Sequence, residues 1–206
     1  MKKSLLVLLL AVALVAPVFA TEKGSIDIVG KLGVAVNPKD GIVYDESYTY
    51  NIQYYKRNPA LSIAVEGLYY ILPELPVGLG INYQFNSEYK EIEDSETGVT
   101  NIYLTVKPTA KIDSKIFTGI YAIGQIGYGF NRINGEGEFW YESEIDSNGL
   151  YWGLGAGTEI MNDFIFEFVF SANYWSYKYD DWGGHCRTQD VKTTALTFFA
   201  GYKFSI

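Results

Sequence analysis

The chain has 206 residues, with 16 Lys and Arg against 24 Asp and Glu, so its formal net charge at pH 7 is −8. The length corresponds to one domain, and the acidic balance argues against a nucleic-acid-binding protein, because binding to phosphates requires a positively charged surface. The 21 glycines and 18 tyrosines are typical of β-strands with aromatic belts and tightly packed interiors. The single cysteine, Cys186, excludes an internal disulfide.

The first 20 residues have the pattern of a secretory signal peptide. Two lysines follow the first methionine, residues 5–15 are uninterruptedly apolar, and Val18-Phe19-Ala20 offers compact residues at the positions that a signal peptidase inspects. An N-terminal membrane anchor is the alternative, but Pro17 and the short apolar run argue against a span of about 20 residues. We therefore expect residues 1–20 to be removed and residues 21–206 to form one β-barrel domain.

Eight later segments alternate apolar and polar residues with a period of two, which indicates β-strands with one apolar face. They cover residues 26–36, 61–71, 77–85, 102–110, 120–130, 150–160, 164–174 and 196–206. Prolines 73 and 76, Asp113-Ser114-Lys115 and Asn162-Asp163 mark three short turns. No apolar run after Ala20 is long enough for a transmembrane helix. A location in a membrane would therefore require a closed barrel, because every backbone polar group in hydrocarbon needs a partner.

The connections between these strands alternate between long and short. Outer-membrane barrels have this pattern, with short periplasmic turns and longer extracellular loops, whereas a soluble up-and-down barrel has no reason to sort its loops by face. Residues 48–54 alternate on the opposite parity from 61–71, so Asn58-Pro59 is either a bulge in one long strand or a turn between two. We favour the bulge, because an even strand number keeps both termini on one face. The predicted fold is an all-β, eight-stranded antiparallel up-and-down transmembrane β-barrel.

The alternate residues of each strand that do not belong to its apolar face are expected to point into the barrel interior. An eight-stranded barrel is only wide enough for its own side chains, and a buried charge is costly unless it is paired. We therefore predict a polar plug of Lys–Glu pairs, concentrated in the periplasmic half. Its charged members are Asp27, Lys31, Glu66, Lys107, Lys111, Glu159, Glu167 and Lys203. Inward glycines leave room for Tyr70, Tyr121, Tyr151 and Trp175, and a slot for a hydrophobic ligand between these rings is the alternative.

The whole pattern resembles the small eight-stranded bacterial outer-membrane barrels, a group that includes the OmpA transmembrane domain, OmpX and OmpW. The resemblance spans the chain and rests on the signal peptide, the amphipathic strands, the sorted loops and the terminal run Gly201-x-x-Phe204-x-Ile206. It implies a location in the bacterial outer membrane and contact with outer-membrane lipid. It also implies that Gly201, Phe204 and Ile206 form the signal read by the outer-membrane assembly machinery, although phenylalanine is usual where this chain has Ile206.

The sequence offers no set of residues for catalysis, for a cofactor or for a metal. Some barrels of this type are lipid A deacylases or palmitoyltransferases, which rely on serine and histidine with an acidic partner at the outer rim. The only histidine, His185, has no serine close by in the sequence, although the distant Ser143 could fold near it. His185 and Cys186 alone are too few for zinc. We therefore predict that the protein is not an enzyme.

Four presumed extracellular loops contain most of the acidic residues that give the chain its negative charge, interleaved with aromatic residues. Their acidic residues are Asp40, Asp45, Glu46, Glu88, Glu91, Glu93, Asp94, Glu96, Glu136, Glu138, Glu142, Glu144, Asp146, Asp180, Asp181 and Asp190. They form either a solvated negative rim or a contact for calcium or magnesium, without the spacing of a calcium loop. We predict a structural or surface-interaction barrel that acts through these loops. Passage or binding of small or hydrophobic compounds across the outer membrane is the alternative.

Overall fold

The computed structural model describes residues 23–46, 49–90, 95–135, 145–180 and 186–206. Its strands are β1 (Ile26–Glu46), β2 (Thr49–Lys56), β3 (Ala60–Leu72), β4 (Leu75–Glu88), β5 (Ser95–Val106), β6 (Thr109–Lys111), β7 (Phe117–Gly135), β8 (Ile145–Ile160), β9 (Phe164–Asp180) and β10 (Cys186–Ser205). The predicted signal peptide, His185 and Ser143 lie outside the described residues. Within these ranges, no helix has the length and apolar character needed to span a membrane.

The strands form one closed antiparallel sheet. β1 pairs with β3 on one side and with β10 on the other, which closes the barrel. Two barrel strands are made of two segments each, because β2 and β3 both pair with β1, and β5 and β6 both pair with β7. The ten segments therefore make eight barrel strands, which confirms the predicted fold.

A proline lies at each of the two interruptions. Pro59 and Pro108 lack the amide hydrogen that a strand donates to its neighbour. Near the first interruption, Arg57 N donates to Pro38 O at 2.9 Å and Asn58 N donates to Glu88 O at 2.9 Å, so the backbone stays bonded to both adjacent strands. The segment after β2 is thus a local break within one barrel strand, as the bulge interpretation predicted.

The apolar parity of the strands faces outward, as predicted. On β9 the side chains of Phe164, Phe166, Phe168 and Phe170 are exposed, whereas the alternate residues between them are mostly buried in the barrel. The same holds on the other barrel strands, over the spans that alternate in the sequence. Each span matches the roughly 9–11 residues that a tilted strand needs to cross the hydrocarbon core. We call this outer surface the apolar band.

Several strands continue well beyond the apolar band on the side of the long connections. β1 reaches Glu46, although the alternation predicted an end at residue 36. β7 reaches Gly135 instead of the predicted 130, and β10 begins at Cys186 instead of the predicted 196. The extensions were missed because outward side chains above the lipid are polar, so the apolar alternation stops there. Several acidic residues that were assigned to loops lie in strands: Asp40, Asp45, Glu46, Glu88, Glu96, Asp146, Asp180 and Asp190.

A bulge in β1 changes which residues face the interior. Asn37 has a positive φ of 47°, and the register between β1 and β10 shifts between Val36 and Lys39. One inserted residue moves every following side chain to the opposite face of the sheet. Asp40 therefore points into the barrel, where it is 1% exposed, and the prediction of Asp40 as a loop residue was wrong.

Candidate functional site

Four charged side chains form a closed ring of ion pairs across the barrel interior. Lys31 Nζ lies 2.6 Å from Glu66 Oε1 and 2.8 Å from Glu167 Oε2. Lys107 Nζ contacts Glu66 Oε2 and lies 2.6 Å from Glu167 Oε1. Each carboxylate oxygen thus receives one ammonium group, and all four residues are buried. The ring, which we call the lumen ring, is electrically neutral, and this pairing compensates for the loss of solvation.

The barrel brings the members of the lumen ring together from distant strands. Lys31 lies on β1, Glu66 on β3 and Glu167 on β9, and Lys107 follows β5. Three of the four lie directly opposite a glycine on one of the two neighbouring strands: Lys31 opposite Gly201, Glu66 opposite Gly80 and Glu167 opposite Gly157. A partner without a side chain leaves the interior space that a long charged side chain needs.

Uncharged side chains complete the hydrogen bonding of the lumen ring. The Tyr103 hydroxyl donates to Glu66 Oε1 and the Tyr121 hydroxyl donates to Glu167 Oε1, both at 2.9 Å. Gln125 Nε2 donates to Glu66 Oε1 at 3.4 Å, and its own oxygen accepts from Tyr151 at 2.6 Å. Hydrogen bonds to a carboxylate are stronger than neutral ones, so these contacts hold both glutamates in the ring.

A second charged cluster lies nearer the short turns. The Tyr70 hydroxyl donates to Asp27 Oδ2 at 2.6 Å, and Lys203 Nζ lies 3.0 Å from Glu159 Oε1 and 3.7 Å from Asp27 Oδ2. Lys111 departs from the prediction, since its side chain is exposed and it makes no ion pair with the described residues. It ends β6 beside the turn that follows, where the wall meets water and the inward position is no longer enclosed.

A third cluster lies in the barrel above the apolar band, and the sequence did not indicate it. Arg57 Nε is 3.2 Å from Asp40 Oδ2, and the same carboxylate accepts hydrogen bonds of 2.6 Å from the hydroxyls of Tyr89 and Thr193. Thr97 Oγ1 donates to the Tyr89 hydroxyl at 2.8 Å. Burial, together with the neighbouring Asp40 carboxylate, raises the pKa of Tyr89, which therefore stays a protonated donor. The Asn37-Pro38 dipeptide, which is typical of a break in a strand, is the local sequence feature that could have indicated the bulge behind this cluster.

The aromatic residues that could have bounded an apolar slot are bonded to polar partners inside the barrel. Tyr70 donates to Asp27, Tyr121 to Glu167 and Tyr151 to Gln125. Trp175 Nε1 donates to Thr193 Oγ1 at 2.9 Å. These rings fill space between charged groups, and their polar atoms point at those groups. Among the described side chains, no three from His, Cys, Asp and Glu are grouped closely enough to hold a metal ion.

Comparison with known proteins gives a family and a set of similar folds. Residues 5–204 match the family model described as the outer membrane protein beta-barrel domain. The chain is similar to OprG of Pseudomonas aeruginosa, at 11% identity and a TM-score of 0.51 over 91% of this chain and 98% of OprG. It is also similar to neisserial surface protein A, at 12% identity and 0.49 over 86% and 96%. The outer-membrane protease OmpT of Escherichia coli matches at 9% identity and 0.44 over 88% and 97%. No curated protein matches the chain.

Proposed function

Because this chain belongs to the outer membrane protein beta-barrel domain family, and so lies in the outer membrane of a bacterium, we propose that it is a closed scaffold rather than a passage. In this proposal the barrel anchors its long extracellular connections at the cell surface, where they meet other molecules. The lumen ring carries the proposal, because it joins four separate parts of the wall across the interior.

The energetics of the lumen ring support a closed interior. A solute could pass only if at least one ring member left its partners. Breaking a buried ion pair costs about 3–5 kcal/mol, and each 1.4 kcal/mol is a tenfold change in population. The open state would therefore be rare even before the two other charged clusters are considered. Arg57 and Asp40 on one side of the ring, and Asp27 and Lys203 on the other, add further pairs along any path.

The strand extensions support a role at the surface. β1 continues about ten residues past the apolar band, and a strand rises about 3.3 Å per residue. With a tilt of about 40°, this lifts the outer end of β1 about 25 Å above the edge of the apolar band. The outer ends of the extended strands then stand clear of the lipid headgroups. Such a position suits contact with molecules outside the cell.

Single-channel recording in planar bilayers tests whether the lumen is closed. The purified full chain should give no steady conductance, whereas a porin recorded in the same bilayers should conduct. The double variant Glu66→Ser with Lys107→Ser removes one charge of each sign from the ring and should show brief openings more often than the natural protein. Steady conductance by the natural protein would refute the closed lumen.

Two further experiments test the role at the surface. Cells in which residues 136–144 are replaced by a Gly-Ser linker of equal length should share the phenotype of cells that lack the protein. Full complementation by this variant and by an equivalent replacement of residues 181–185 would contradict a role for these connections.

Incubation with labelled lipid A should leave the lipid unchanged, and release of an acyl chain would show instead that the protein is an enzyme.

A further inference from the structure

Five buried carboxamide side chains face the barrel interior between the lumen ring and the cluster around Asp40. They are Asn82 and Gln84 on β4, Asn101 on β5, Asn131 on β7 and Asn173 on β9. Each has at least one polar atom without a hydrogen-bond partner among the residues that the structure describes. We call these five side chains the amide layer.

The strand registers bring three members of the amide layer to one place. Asn82 lies directly opposite Asn101, and Asn101 lies opposite Gly129 on its other side. A Cβ atom at Gly129 would collide with the Oδ1 atoms of Asn101 and Asn173. The oxygens of these two residues, both buried and unpartnered, therefore meet in front of Gly129.

The other two members form the adjacent row, nearer the long connections. Gln84 and Asn131 both lie opposite Val99, one on each side of β5. Ser62 is the next partner of Gln84, and Ser147 is the next partner of Asn131. The hydroxyls of both serines are also buried and make no hydrogen bond within the described ranges. The two rows thus form a continuous polar wall.

The side chains of these rows are too short to fill the barrel. Eight strands that lie about 4.8 Å apart with a tilt of about 40° enclose a cylinder about 16 Å across. In the lumen ring, long lysine and glutamate side chains meet across this width, whereas glycine, serine and carboxamide side chains end before the axis. A barrel of this size can hold one small ligand. We call the space inside the two rows the upper chamber.

An aromatic ring forms part of the wall of the upper chamber. Trp175 lies opposite Gly149, which lies opposite Gly129 on the next strand. The indole Nε1 donates to Thr193 on the neighbouring β10, so the ring runs along the wall rather than across the axis. Aromatic surface beside a few fixed polar groups is typical of sites for small molecules.

The unpartnered atoms of the amide layer require a guest molecule. A buried polar atom that makes no hydrogen bond loses its solvation without compensation, and nearly all such atoms in native proteins have a partner. Here the unpartnered atoms belong to side chains from four different strands and face one space. A molecule in the upper chamber can bond to several of them at once.

The guest should be uncharged. The amide layer contains no ionisable group, and each charge of the lumen ring below it is already paired. A charged guest would lose its solvation without gaining a counter-charge, which is very costly. The two remaining candidates are water and a small neutral solute.

The unpartnered atoms include both acceptors and donors. Oδ1 of Asn82, Asn101 and Asn173 can accept hydrogen bonds, whereas Nε2 of Gln84 and Nδ2 of Asn131 can donate them. A hydroxyl group both donates and accepts. A molecule with several hydroxyl groups therefore matches this wall.

The two ends of the upper chamber are closed unequally. Toward the periplasm, the lumen ring is joined by four direct ion pairs. Toward the long connections, Arg57 Nε lies 3.2 Å from Asp40 Oδ2, and neither Nε nor Nη2 of Arg57 makes a hydrogen bond with the described part of the chain. The extracellular end is thus the one from which a guest enters.

We propose that the upper chamber binds a small uncharged solute rich in hydroxyl groups, of the size of glycerol or a monosaccharide, from outside the cell. The amide layer bonds to its hydroxyls, and the Trp175 ring packs against its carbon-bound hydrogens. The lumen ring stops the solute below the amide layer. The site therefore adds binding, without passage, to the closed scaffold.

Saturation-transfer NMR with the full chain in lipid vesicles tests this site. The probes are glycerol, glucose and two charged analogues of glucose, glucosamine and glucuronate. The natural protein should bind glycerol or glucose, and it should bind both charged sugars at least about tenfold more weakly than glucose.

Two variants and a matched control locate the binding. Gly129→Ala adds a methyl group that displaces the oxygens of Asn101 and Asn173, and it should weaken binding about tenfold, as expected for one lost hydrogen bond. The double variant Asn101→Leu with Asn173→Leu removes both oxygens at similar volume and should abolish binding. The control Gly67→Ala, whose methyl group meets nothing within 4 Å, should bind like the natural protein.

Folding is checked by the shift in gel mobility between heated and unheated samples. Gly129→Ala provides the test if the double variant does not fold, because its methyl group meets only the ends of two side chains. If the natural protein binds neither glycerol nor glucose, water alone fills the upper chamber and the proposal is wrong. Equal binding of the charged sugars, unchanged binding by Gly129→Ala or an equal loss in Gly67→Ala would also overturn it. A conducting lumen would refute the closed scaffold without changing these results.

Discussion

Replacement of Glu66 by glutamine should unbalance the lumen ring without changing its shape. Glu66 is fully buried and contacts both Lys31 and Lys107. The variant Glu66→Gln leaves two ammonium groups facing one carboxylate, so the interior carries an uncompensated positive charge. Removing one partner from a buried pair costs about 3–5 kcal/mol. We expect the lower end, about 3 kcal/mol, because both lysines keep their contacts with Glu167.

Unfolding by urea in lipid vesicles, followed by tryptophan fluorescence, measures this effect. With a denaturant dependence of about 2 kcal/mol per molar urea, a loss of about 3 kcal/mol lowers the midpoint by about 1.5 M. The double variant Glu66→Gln with Lys107→Met removes one charge of each sign and restores neutrality. It should recover most of the lost stability, because an apolar replacement of a buried pair is often neutral or stabilising.

The double-mutant cycle decides whether the ring acts as a coupled unit. Residues of one ion-pair network show interaction energies of about 0.5–3 kcal/mol. If the effects of Glu66→Gln and Lys107→Met simply add, the two residues do not stabilise each other, and the account of a neutral ring would be wrong. A midpoint unchanged by Glu66→Gln alone would refute the reasoning more directly, since the site would then be accessible to water or counter-ions.

Three other measurements address the wall and its orientation. Gly127→Ala places a methyl group against a backbone carbonyl of the neighbouring strand and should destabilise the barrel by about 1–3 kcal/mol. The control variant Gly67→Ala, whose methyl group meets nothing within 4 Å, should not destabilise it. Equal urea midpoints for the two variants would contradict this account of the packing. Phe168→Arg, on the apolar band, should cost about 2–4 kcal/mol, and Ser176→Arg above the band should change little. A membrane-impermeant maleimide should label Cys186 on intact cells. Labelling only after lysis would show that the long connections face the periplasm instead.

The barrel wall was predictable because each strand carries its own evidence. A side chain that faces lipid must be apolar, and strand geometry places every second residue on that face, so the alternation can be recognised without knowing any partner. The strand from Phe164 to Tyr174 is an example, since its outward positions are nearly all aromatic. Above the lipid, outward side chains no longer need to be apolar, so the extensions of β1, β7 and β10 show no apolar alternation in the sequence.

The interior was predictable in kind but not in arrangement. Parity alone indicates that Lys31 and Glu167 face inward, and charge balance indicates that such residues pair. Whether these two meet depends on how far the strands are displaced along one another around the closed barrel, which is a property of all the registers together. Lys111 shows the limit of parity, because an inward position beside a turn is exposed to water.

The amino-acid sequence by itself thus determined an eight-stranded outer-membrane barrel with an apolar exterior and a charged interior, because solvent preference acts on each residue separately. Only the tertiary structure decided which charges meet and that Asp40 and Arg57 form an interior pair. The physical reason is that one inserted residue at Asn37-Pro38 reverses the two faces of β1, and the effect becomes visible only against the neighbouring strands.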